Sequence, residues 1–323
     1  MVNLPDPVHI SDDAFAAVLA RHGLPRSTQL QPLPVTGIIN TVYALGEHLV
    51  LRVPRANARF ASYLLKEARV VPVARAVGVR TPALVAFDES LDLLPVPYAL
   101  YQRVPGTALG LLDAEPGDAA HAWRELGRDL ARLHVGGDHG LLDLPRSQRQ
   151  ADDDPRSLVE RRAADGWLTR MEVRWLLGWL EHLAPLALDA ADTRPDRLVH
   201  ADTQPTNVMV DPDTLAYRAV IDWGDARCGD VAADFLGPPL RAVPFLLDGH
   251  REVAPLDSDD TAEARILWEQ IRFALAVLPR GAAVGLSWGE RPIPRLLEIL
   301  RFFLETDDSR WTALAPQPQG GWR

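Results

Sequence analysis

Cysteine and lysine are almost absent from this sequence. The one cysteine, Cys228, excludes a disulfide framework and a zinc site built from several cysteines. The one lysine, Lys66, follows Leu65 and not a glycine, so the phosphate-binding pattern G-x-x-x-x-G-K is missing. The zinc-protease pattern H-E-x-x-H is missing as well. These absences remove several common enzyme classes.

Long apolar runs are also missing. No stretch approaches the roughly 18 apolar residues of a membrane-spanning helix, and the opening segment "MVNLPDPVHISDD" lacks the basic and apolar regions of a signal peptide. We therefore expect a cytoplasmic protein with no membrane partner. The formal net charge of −10 argues against a nucleic-acid partner, because phosphate backbones need a basic surface. It permits attraction of cationic small molecules.

The first third of the chain has a β-rich pattern. Its 323 residues with 47% hydrophobic side chains fit one large domain or two lobes. A short helix, "DDAFAAVLARH", precedes three strand candidates between residues 29 and 53. The helical stretch "ASYLLKEARVVPVARAVG" and the strand candidates "PALVAFD" and "PYALYQRV" follow. This pattern predicts a small antiparallel-sheet N-terminal lobe over residues 1–104.

The rest of the chain is mainly helical. Proline and glycine in "VPGTALG" interrupt the pattern, and we place a boundary there, near Pro105. Helical periodicity then marks "DAAHAWRELGRDLARLH", "RRAADGWLTRMEVRWLLGWLEHLA", "TAEARILWEQIRFALAVL" and "IPRLLEILRFFLE". Two short strands, "VMVD" and "YRAVIDWGD", lie among them. We expect an α+β fold of two lobes, with a larger helical C-terminal lobe over residues 105–323.

Between those helices lies a group of polar residues suited to phosphoryl transfer. The stretch "HADTQPTN" spaces Asp202 and Asn207 five positions apart, and Asp222 of "DWG" follows an apolar strand fifteen residues later. Phosphoryl transfer needs cations on the phosphates and a group that orients the attacking hydroxyl. Asp202 would accept the hydroxyl proton, and Asn207 and Asp222 would supply hard oxygen ligands to Mg²⁺.

With these motifs the chain resembles the aminoglycoside phosphotransferase-like small-molecule kinases, which share the protein-kinase-like fold. The resemblance runs from about Thr36 to Leu236 and rests on "HADTQPTN" and "IDWGDARCGDVAADF". It implies ATP and Mg²⁺ as cofactors, GTP not being excluded, and a small-molecule hydroxyl acceptor. Ala201 replaces a usual glycine and Gln204 a frequent histidine. These departures bear on the subfamily, since no catalytic oxygen is lost.

The resemblance also assigns roles in the N-terminal lobe. The nucleotide loop would fall in "PVTGIINTVYAL", with Gly37 and Asn40 at its tip. Protein kinases place a lysine on the next strand, paired with a glutamate of the following helix. Here that strand position is Arg52, and its expected partner is Glu67. Arginine keeps its charge and offers several donors to phosphate.

The segment "YALYQRVPG" corresponds to the hinge of this family. The resemblance implies that the carbonyl of Gln102 and the amide of Val104 contact the adenine ring. It also implies structural roles for Asp230 and Asp234, which would tie the segment after the metal strand to helix ends. His200 is expected to brace the catalytic loop through hydrogen bonds. His134 is expected to be a packed residue of a helix.

Other functional classes fit less well. "GLSWG" (285–289) matches the nucleophile elbow of α/β hydrolases. That triad requires a histidine after the serine, and no histidine follows His250 in this sequence. A pseudokinase that binds nucleotide without turnover would lack Asp202, Asn207 or Asp222, and all three are present. We therefore predict an ATP-dependent O-phosphotransferase.

The acceptor stays open at this stage. Residues 189–260 include about fifteen acidic side chains and only about six basic ones. This acidic excess would suit a cationic acceptor. Tryptophans that could line a cleft for a bulky natural product are Trp167, Trp175, Trp179, Trp268 and Trp288. We expect an antibiotic of the aminoglycoside, macrolide or nucleoside type, whose phosphorylation would confer resistance. A metabolic alcohol of the choline, homoserine or sugar type is the alternative. The oligomeric state also remains open.

Overall fold

A computed structural model describes residues 5–33, 39–137, 144, 154–189, 194–280 and 291–316. Within these residues the chain forms mixed helix and sheet, with a five-stranded antiparallel sheet near the N-terminus and mainly helices beyond it. None of the described helices combines the length and apolarity needed to cross a membrane. The hydrolase-like segment 285–289 and Gly37 lie outside the described residues.

The N-terminal sheet has the strand order β1-β2-β3-β5-β4. Its strands are β1 (Leu30–Pro32), β2 (Asn40–Leu45), β3 (Leu49–Pro54), β4 (Leu84–Asp88) and β5 (Tyr98–Gln102). Helix α1 (Asp12–Arg21) covers one end and begins after Ser11, whose hydroxyl accepts a hydrogen bond from the amide of Ala14. Gly46 lies in the β2–β3 turn at a φ of 62°, a left-handed conformation that favours glycine.

Helix α2 (Ala58–Ala76) connects β3 to β4. Its apolar residues Leu64, Val70 and Ala74 belong to the large hydrophobic core shared with the C-terminal helices, whereas Leu51 of β3 and Leu100 of β5 belong to a separate cluster with α1. The helix therefore links the sheet to the helical part, and its position fixes Glu67 relative to residues from both.

The helical part contains the other helices that the structure describes. They are α3 (Ala120–Gly136), α4 (Pro155–Ala164), α5 (Arg170–Ala187), α6 (Val243–Val253), α7 (Ala262–Val277), α8 (Pro292–Glu305) and α9 (Ser309–Thr312). Two small antiparallel sheets lie among them: β6 (Thr107–Ala108), β8 (Val208–Val210) and β9 (Tyr217–Val220) form one, and β7 (Arg197–Val199) and β10 (Arg227–Gly229) form the other. The boundary after residue 104 falls between β5 and β6 and stays a prediction.

The prediction of one long helix over residues 161–184 is wrong, because the chain forms two helices there, α4 and α5. Gly166 adopts a φ of 82° between them, and α5 then begins with a capping box in which Thr169 and Glu172 exchange hydrogen bonds. Both signals are visible in the sequence. Helix α6 and strands β7 and β10 were not predicted; the two strands have three residues each, too few to show a period.

Two glycines let α3 and α6 pack backbone against backbone. A Cβ atom at Gly127 of α3 would lie 2.0 Å from the carbonyl oxygen of Leu246, and one at Gly249 of α6 would lie 1.9 Å from that of Arg124. Either atom would overlap the neighbouring helix. This close approach brings the C-terminal ends of the two helices together beneath the catalytic loop.

Candidate active site

The loop between β7 and β8 holds Asp202 and Asn207 against each other. The side-chain amide of Asn207 donates to the Asp202 carbonyl over 2.8 Å and to its carboxylate over 2.7 Å. A turn of 3₁₀ helix over Pro205–Asn207 sets this geometry. Because the side-chain nitrogen of Asn207 donates both hydrogen bonds, its side-chain oxygen is left to bind a cation. Gln204, one of the departures from the family pattern, also donates to the Asp202 carboxylate over 3.2 Å.

His200 braces this loop as a neutral imidazole. Its Nε2 lies 3.1 Å from the carbonyl oxygen of Ile221 and donates to it, and its Nδ1 accepts from the Asp202 amide over 3.2 Å. Accepting at Nδ1 requires the neutral ring, and burial lowers the pKa of His200. The ring therefore joins the catalytic loop to the residue before Asp222 and takes no proton itself.

Asp234 fixes the start of the same loop. Its carboxylate accepts from the amides of His200 over 3.1 Å and of Ala201 over 2.5 Å, and its carbonyl accepts from the Thr203 hydroxyl. Ala201 has a φ of 63°, a left-handed conformation that favours glycine. This chain therefore has an alanine at a position whose φ favours glycine, the usual residue of the family. Asp234 holds the backbone of this alanine.

Asp222 meets residues of the N-terminal sheet directly after β9. Arg52 donates to its carboxylate over 3.0 Å and to that of Glu67 over 2.5 Å. The structure thus pairs Arg52 with Glu67, as the sequence predicted, and adds Asp222 as a second partner. Asp222 itself has a left-handed φ of 69°, an uncommon conformation for a residue other than glycine.

The charges of this cluster act on one another. Burial favours the neutral form of Asp222, but the charge and hydrogen bond of Arg52 lower its pKa overall. Burial raises the pKa of Glu67 to about 7, against the opposing charge of Arg52. Burial, followed by the charges of Asp222 and Asp225, also raises the pKa of Asp202 to about 7. The site therefore concentrates negative charge that a bound cation would stabilise.

The donors present fit Mg²⁺ better than a metal held wholly by protein. The described residues contain no cluster of three or more histidine, cysteine, aspartate or glutamate side chains that could hold a metal. Mg²⁺ needs few protein groups, since phosphate oxygens and water complete its octahedron. One amide oxygen from Asn207 and one carboxylate from Asp222 are a set of this kind.

The predicted nucleotide-contacting residues are partly described. Asn40 begins β2, and among the described residues its buried side-chain oxygen has no hydrogen-bond partner. Gln102 ends β5, and the next amide, that of Arg103, donates to the carbonyl of His48. Val104 follows directly. Gly37 lies outside the described residues, so contacts of all four with nucleotide stay predictions.

The comparison with protein families decides the assignment. The model of the phosphotransferase enzyme family (APH) matches residues 30–237, more than half of the chain. The chain belongs to this family. The matched region contains Arg52, Glu67, the loop that carries Asp202 and Asn207, and Asp222, and it ends just past Asp234.

Solved structures share the fold of this chain. Wild-type aminoglycoside 2'-phosphotransferase-IIIa in its GDP complex has a TM-score of 0.62 and 17% identity, covering 91% of this chain and 100% of that one. The macrolide 2'-phosphotransferase type I has a TM-score of 0.56 and 18% identity, covering 92% and 98%. At these identities the likeness shows the fold, which confirms the predicted kinase-like architecture.

Two related sequences carry the name homoserine kinase. The homoserine kinase of Rhizobium etli is 29% identical over 222 residues, which cover 59% of this chain and 60% of that protein. A second homoserine kinase, from Rhizobium johnstonii, matches to the same extent. This chain thus spans about three fifths of the length of these relatives.

The acidic excess of residues 189–260 is largely taken up by ion pairs. The pairs include Asp211 with Arg218, Asp230 with Arg194 and Arg265, Asp248 with Arg124, Asp257 with Arg197, and Asp259 with Arg251. With Asp222 beside Arg52, Glu252 beside Arg128 and Asp234 beside His134, eight of the fifteen carboxylates are paired with basic side chains. The charge count that suggested a cationic acceptor thus gives little support to one.

The predicted tryptophans divide between core and surface. Trp179 and Trp268 are buried, and Trp179 donates from its indole to the carbonyl of Leu314. Trp167 and Trp175 are 52% and 43% exposed and are the two that remain available to a ligand. Trp288 lies outside the described residues.

Two buried histidines near the loop were missed as a pair. His134, expected only to pack, lies 2.8 Å from the Asp234 carboxylate and 3.0 Å from a ring nitrogen of His250. Asp234 is the carboxylate that holds the catalytic loop. No spacing rule joins residues from α3 and α6, so the available signal was the glycine in each helix that permits their close contact.

Proposed function

We propose that this phosphotransferase moves the γ-phosphoryl group of ATP to a hydroxyl of a small molecule. The supporting observation is the continuous set of contacts from Glu67 through Arg52 to Asp222, beside the hydrogen-bonded pair of Asp202 and Asn207. Residues 1–104 would form the nucleotide-binding lobe and residues 105–323 the lobe that carries the loop and the acceptor cleft.

Each side chain has a part in the transfer that its environment suits. Asp202 accepts the proton of the acceptor hydroxyl and aims its oxygen, while Asn207 and Gln204 hold the carboxylate in place. Arg52 contacts phosphate and is itself fixed by Glu67. Asn207 and Asp222 hold Mg²⁺, which when bound neutralises charge on the phosphates. Positioning and charge neutralisation provide nearly all the catalysis in such reactions.

The nucleotide is proposed to be ATP, with its adenine between Gln102 and Val104 and its phosphates near Gly37, Asn40 and Arg52. GTP is the alternative, since the aminoglycoside 2'-phosphotransferase-IIIa structure is a GDP complex. Initial rates with each nucleotide at equal concentration, with Mg²⁺ in excess, distinguish the two.

A natural-product antibiotic is the first candidate acceptor, which would make the protein a resistance enzyme. It is supported by the shared fold of aminoglycoside and macrolide phosphotransferases and by the exposed Trp167 and Trp175. A small metabolic alcohol is the second candidate, supported by the homoserine kinase relatives and by the ion pairing of the acidic excess. A panel of aminoglycosides, macrolides, nucleoside antibiotics, homoserine, choline and sugars, read by mass spectrometry for an added phosphoryl group, decides between them.

Acceptor-dependent ADP release tests the catalytic roles. Asp202→Asn should lower kcat by about 10²- to 10⁴-fold, the usual contribution of a positioned general base, and Asp222→Asn should lower it comparably. Asp213→Asn, in the exposed turn after β8, is the matched control and should leave kcat unchanged. Turnover of the Asp202 and Asp222 variants within a few-fold of the parent would reject the assignment.

A further inference from the structure

A buried line of hydrogen bonds runs beneath the catalytic loop, from Asp234 through His134 and His250 to the carbonyl of Ala254. Nε2 of His134 lies 2.8 Å from the Asp234 carboxylate, and its Nδ1 lies 3.0 Å from Nε2 of His250. Nδ1 of His250 lies 2.9 Å from the Ala254 oxygen. Asp234, His134 and His250 are at most 4% exposed, so water does not complete the line.

The number of protons in this line follows from its geometry. A hydrogen bond needs one proton between its two heavy atoms, so three bonds need three protons. Two neutral imidazoles carry one N–H each and supply only two. The carbonyl of Ala254 can only accept, so Nδ1 of His250 holds one proton. A third proton must therefore reside on Asp234, His134 or His250.

The neighbours of Asp234 decide where that proton resides. The carboxylate also accepts from the amides of His200 and Ala201, and hydrogen bonds to the charged form favour ionisation. Burial opposes ionisation, but His134 and these donors lower the pKa of Asp234 overall. His250 is also excluded, because its ring bonds to the His134 ring and the Ala254 carbonyl and to no carboxylate, whereas His134 lies against Asp234. Burial of His250 also lowers its pKa.

We propose that His134 is held as an imidazolium that donates from both ring nitrogens, to Asp234 and to His250, and that His250 is the positioning residue that keeps it so. The line is then neutral overall, with one buried cation between one buried carboxylate and one neutral ring. Without an acceptor at His250, the proton on Nδ1 of His134 would be buried without a partner, which costs free energy.

The other charged groups around this line are few. Asp257 is close enough for the charge of His134 to lower its pKa, but it is already paired with Arg197. Asp259 acts on His250 and is paired with Arg251. The imidazole of His200 acts on Asp234 and is neutral. Asp234 is therefore the direct counterion of His134.

The inference rests on the proposed function only in its consequence for catalysis. Asp234 holds the amides of His200 and Ala201, the two residues before Asp202. A charged partner fixes that carboxylate more firmly than a neutral one, because charge-assisted hydrogen bonds are shorter and stronger. His250 would therefore set the position of Asp202 without touching either substrate.

Nuclear magnetic resonance of the whole protein with ¹⁵N-labelled histidine tests the protonation state without any substrate. At pH 8, where a free imidazole is neutral, His134 should show a proton on both ring nitrogens, and His250 on one. The His134 signal is assigned by its loss in His134→Gln. A single protonated nitrogen on His134 in the parent protein would overturn the proposal.

Two substitutions at His250 separate a positioning role from a purely structural one. His250→Gln keeps an acceptor for His134 and a donor for Ala254, so it should retain the doubly protonated signal. His250→Leu keeps the bulk but removes the acceptor, and the signal of the second proton should disappear. Retention of both protons in the leucine variant would contradict the role given to His250.

Kinetics supply the second readout, using whichever acceptor the parent enzyme phosphorylates. His250→Leu should lower kcat about 10-fold through misplacement of Asp202, with KM for ATP unchanged, and His250→Gln should restore most of the rate. An inactive parent would reject the proposed function and leave the magnetic resonance result standing. An active parent with equal kcat in both variants would reject the coupling to the loop.

Discussion

At the scale of single residues, the catalytic loop shows where sequence patterns succeed and where they stop. The pattern predicted that Asp202, Asn207 and Asp222 serve one site, and their roles stay predictions. The structure shows that Asn207 donates to Asp202 and that Arg52 joins Asp222 to Glu67. The pattern identifies residue types at fixed spacing, but which nitrogen contacts which oxygen depends on tertiary geometry. That information is distributed over residues far apart in the chain.

Ala201 gives the first prediction at this scale. Its φ of 63° costs an L-residue with a Cβ atom roughly 1–2 kcal/mol. Ala201→Gly should therefore raise the free energy of unfolding by about 1 kcal/mol, part of the relief being offset by the freer unfolded chain. Urea titration measures it. Ala313→Gly, at an exposed position with a φ of −64°, is the matched control and should lower stability. A less stable Ala201→Gly protein would show that the backbone there is not strained.

Arg52 gives the second prediction at the scale of single residues. Its side chain is buried between Glu67 and Asp222, and removing one partner of a buried ion pair costs about 3–5 kcal/mol. Arg52→Ala should therefore destabilise the protein by about that amount, as well as weakening the use of ATP. Adding Glu67→Gln to it should recover part of the loss, since the uncompensated carboxylate is gone. Thermal and urea unfolding of the single and double variants measure this.

An Arg52→Ala protein as stable as the parent would mean that the pair of Arg52 and Glu67 is not formed in solution. Glu67→Gln alone is the companion variant, and its loss should be smaller, because an amide can still accept from arginine. A loss in the double variant equal to the sum of the two single losses would mean that the two side chains act independently.

At the scale of helices and strands, caps and periodicity predicted most long elements. Helices α1, α2, α3, α7 and α8 fall where the apolar pattern indicated, and the five strands of the N-terminal sheet were all anticipated at least in part. The failures were the break at Gly166, the unanticipated helices α6 and α9, and strands β6, β7 and β10. Three-residue strands are stabilised by pairing with distant segments, which a local pattern does not contain.

The contact of α3 with α6 gives a prediction for acid stability. In the folded protein burial and His134 lower the pKa of His250 to about 3, whereas in the unfolded chain it is about 6.5. Only the unfolded state then binds a proton between these values, so the free energy of unfolding falls as pH falls, by up to about 1.4 kcal/mol per pH unit from this group.

His250→Gln removes this titration. Between pH 6.5 and pH 5 the variant should lose about 1–2 kcal/mol less stability than the parent, as measured by urea unfolding at each pH. His48→Gln, at an exposed position in the β2–β3 turn, should follow the parent curve. Parallel curves for the parent and His250→Gln would mean that His250 is not buried as a neutral ring.

At the scale of the whole molecule, α2 and Arg52 join two parts that the sequence predicted as separate lobes. The buried apolar side chains of α2 pack in the hydrophobic core of the helical part. Arg52 lies on the sheet and contacts Asp222, which follows β9. A ligand that bridges Asn207, Asp222 and the sheet should therefore stabilise both parts together. The sequence pattern predicted the fold class because its motifs belong to a family, whereas the packing of α2 follows from long-range contacts.

Nucleotide binding gives the prediction at this scale. A ligand present at about 100 times its Kd stabilises the folded state by about 2.7 kcal/mol, so the non-hydrolysable analogue AMP-PNP with Mg²⁺ should raise Tm by several degrees. Asp222→Asn should lose the part of this rise that depends on Mg²⁺, and Asp213→Asn should keep it. An Asp222→Asn protein with the full Mg²⁺-dependent rise would mean that the cation binds elsewhere.

Asn207 and Asp222 are expected to hold a magnesium ion on the terminal phosphates of a nucleotide, with Asp202 beside the γ-phosphorus. A crystal structure of the protein with Mg²⁺ and AMP-PNP tests this arrangement directly. Mg²⁺ should then be bonded to the amide oxygen of Asn207, to a carboxylate oxygen of Asp222 and to phosphate oxygens. Triphosphate and metal bound away from these side chains, with Asp202 facing neither, would contradict it.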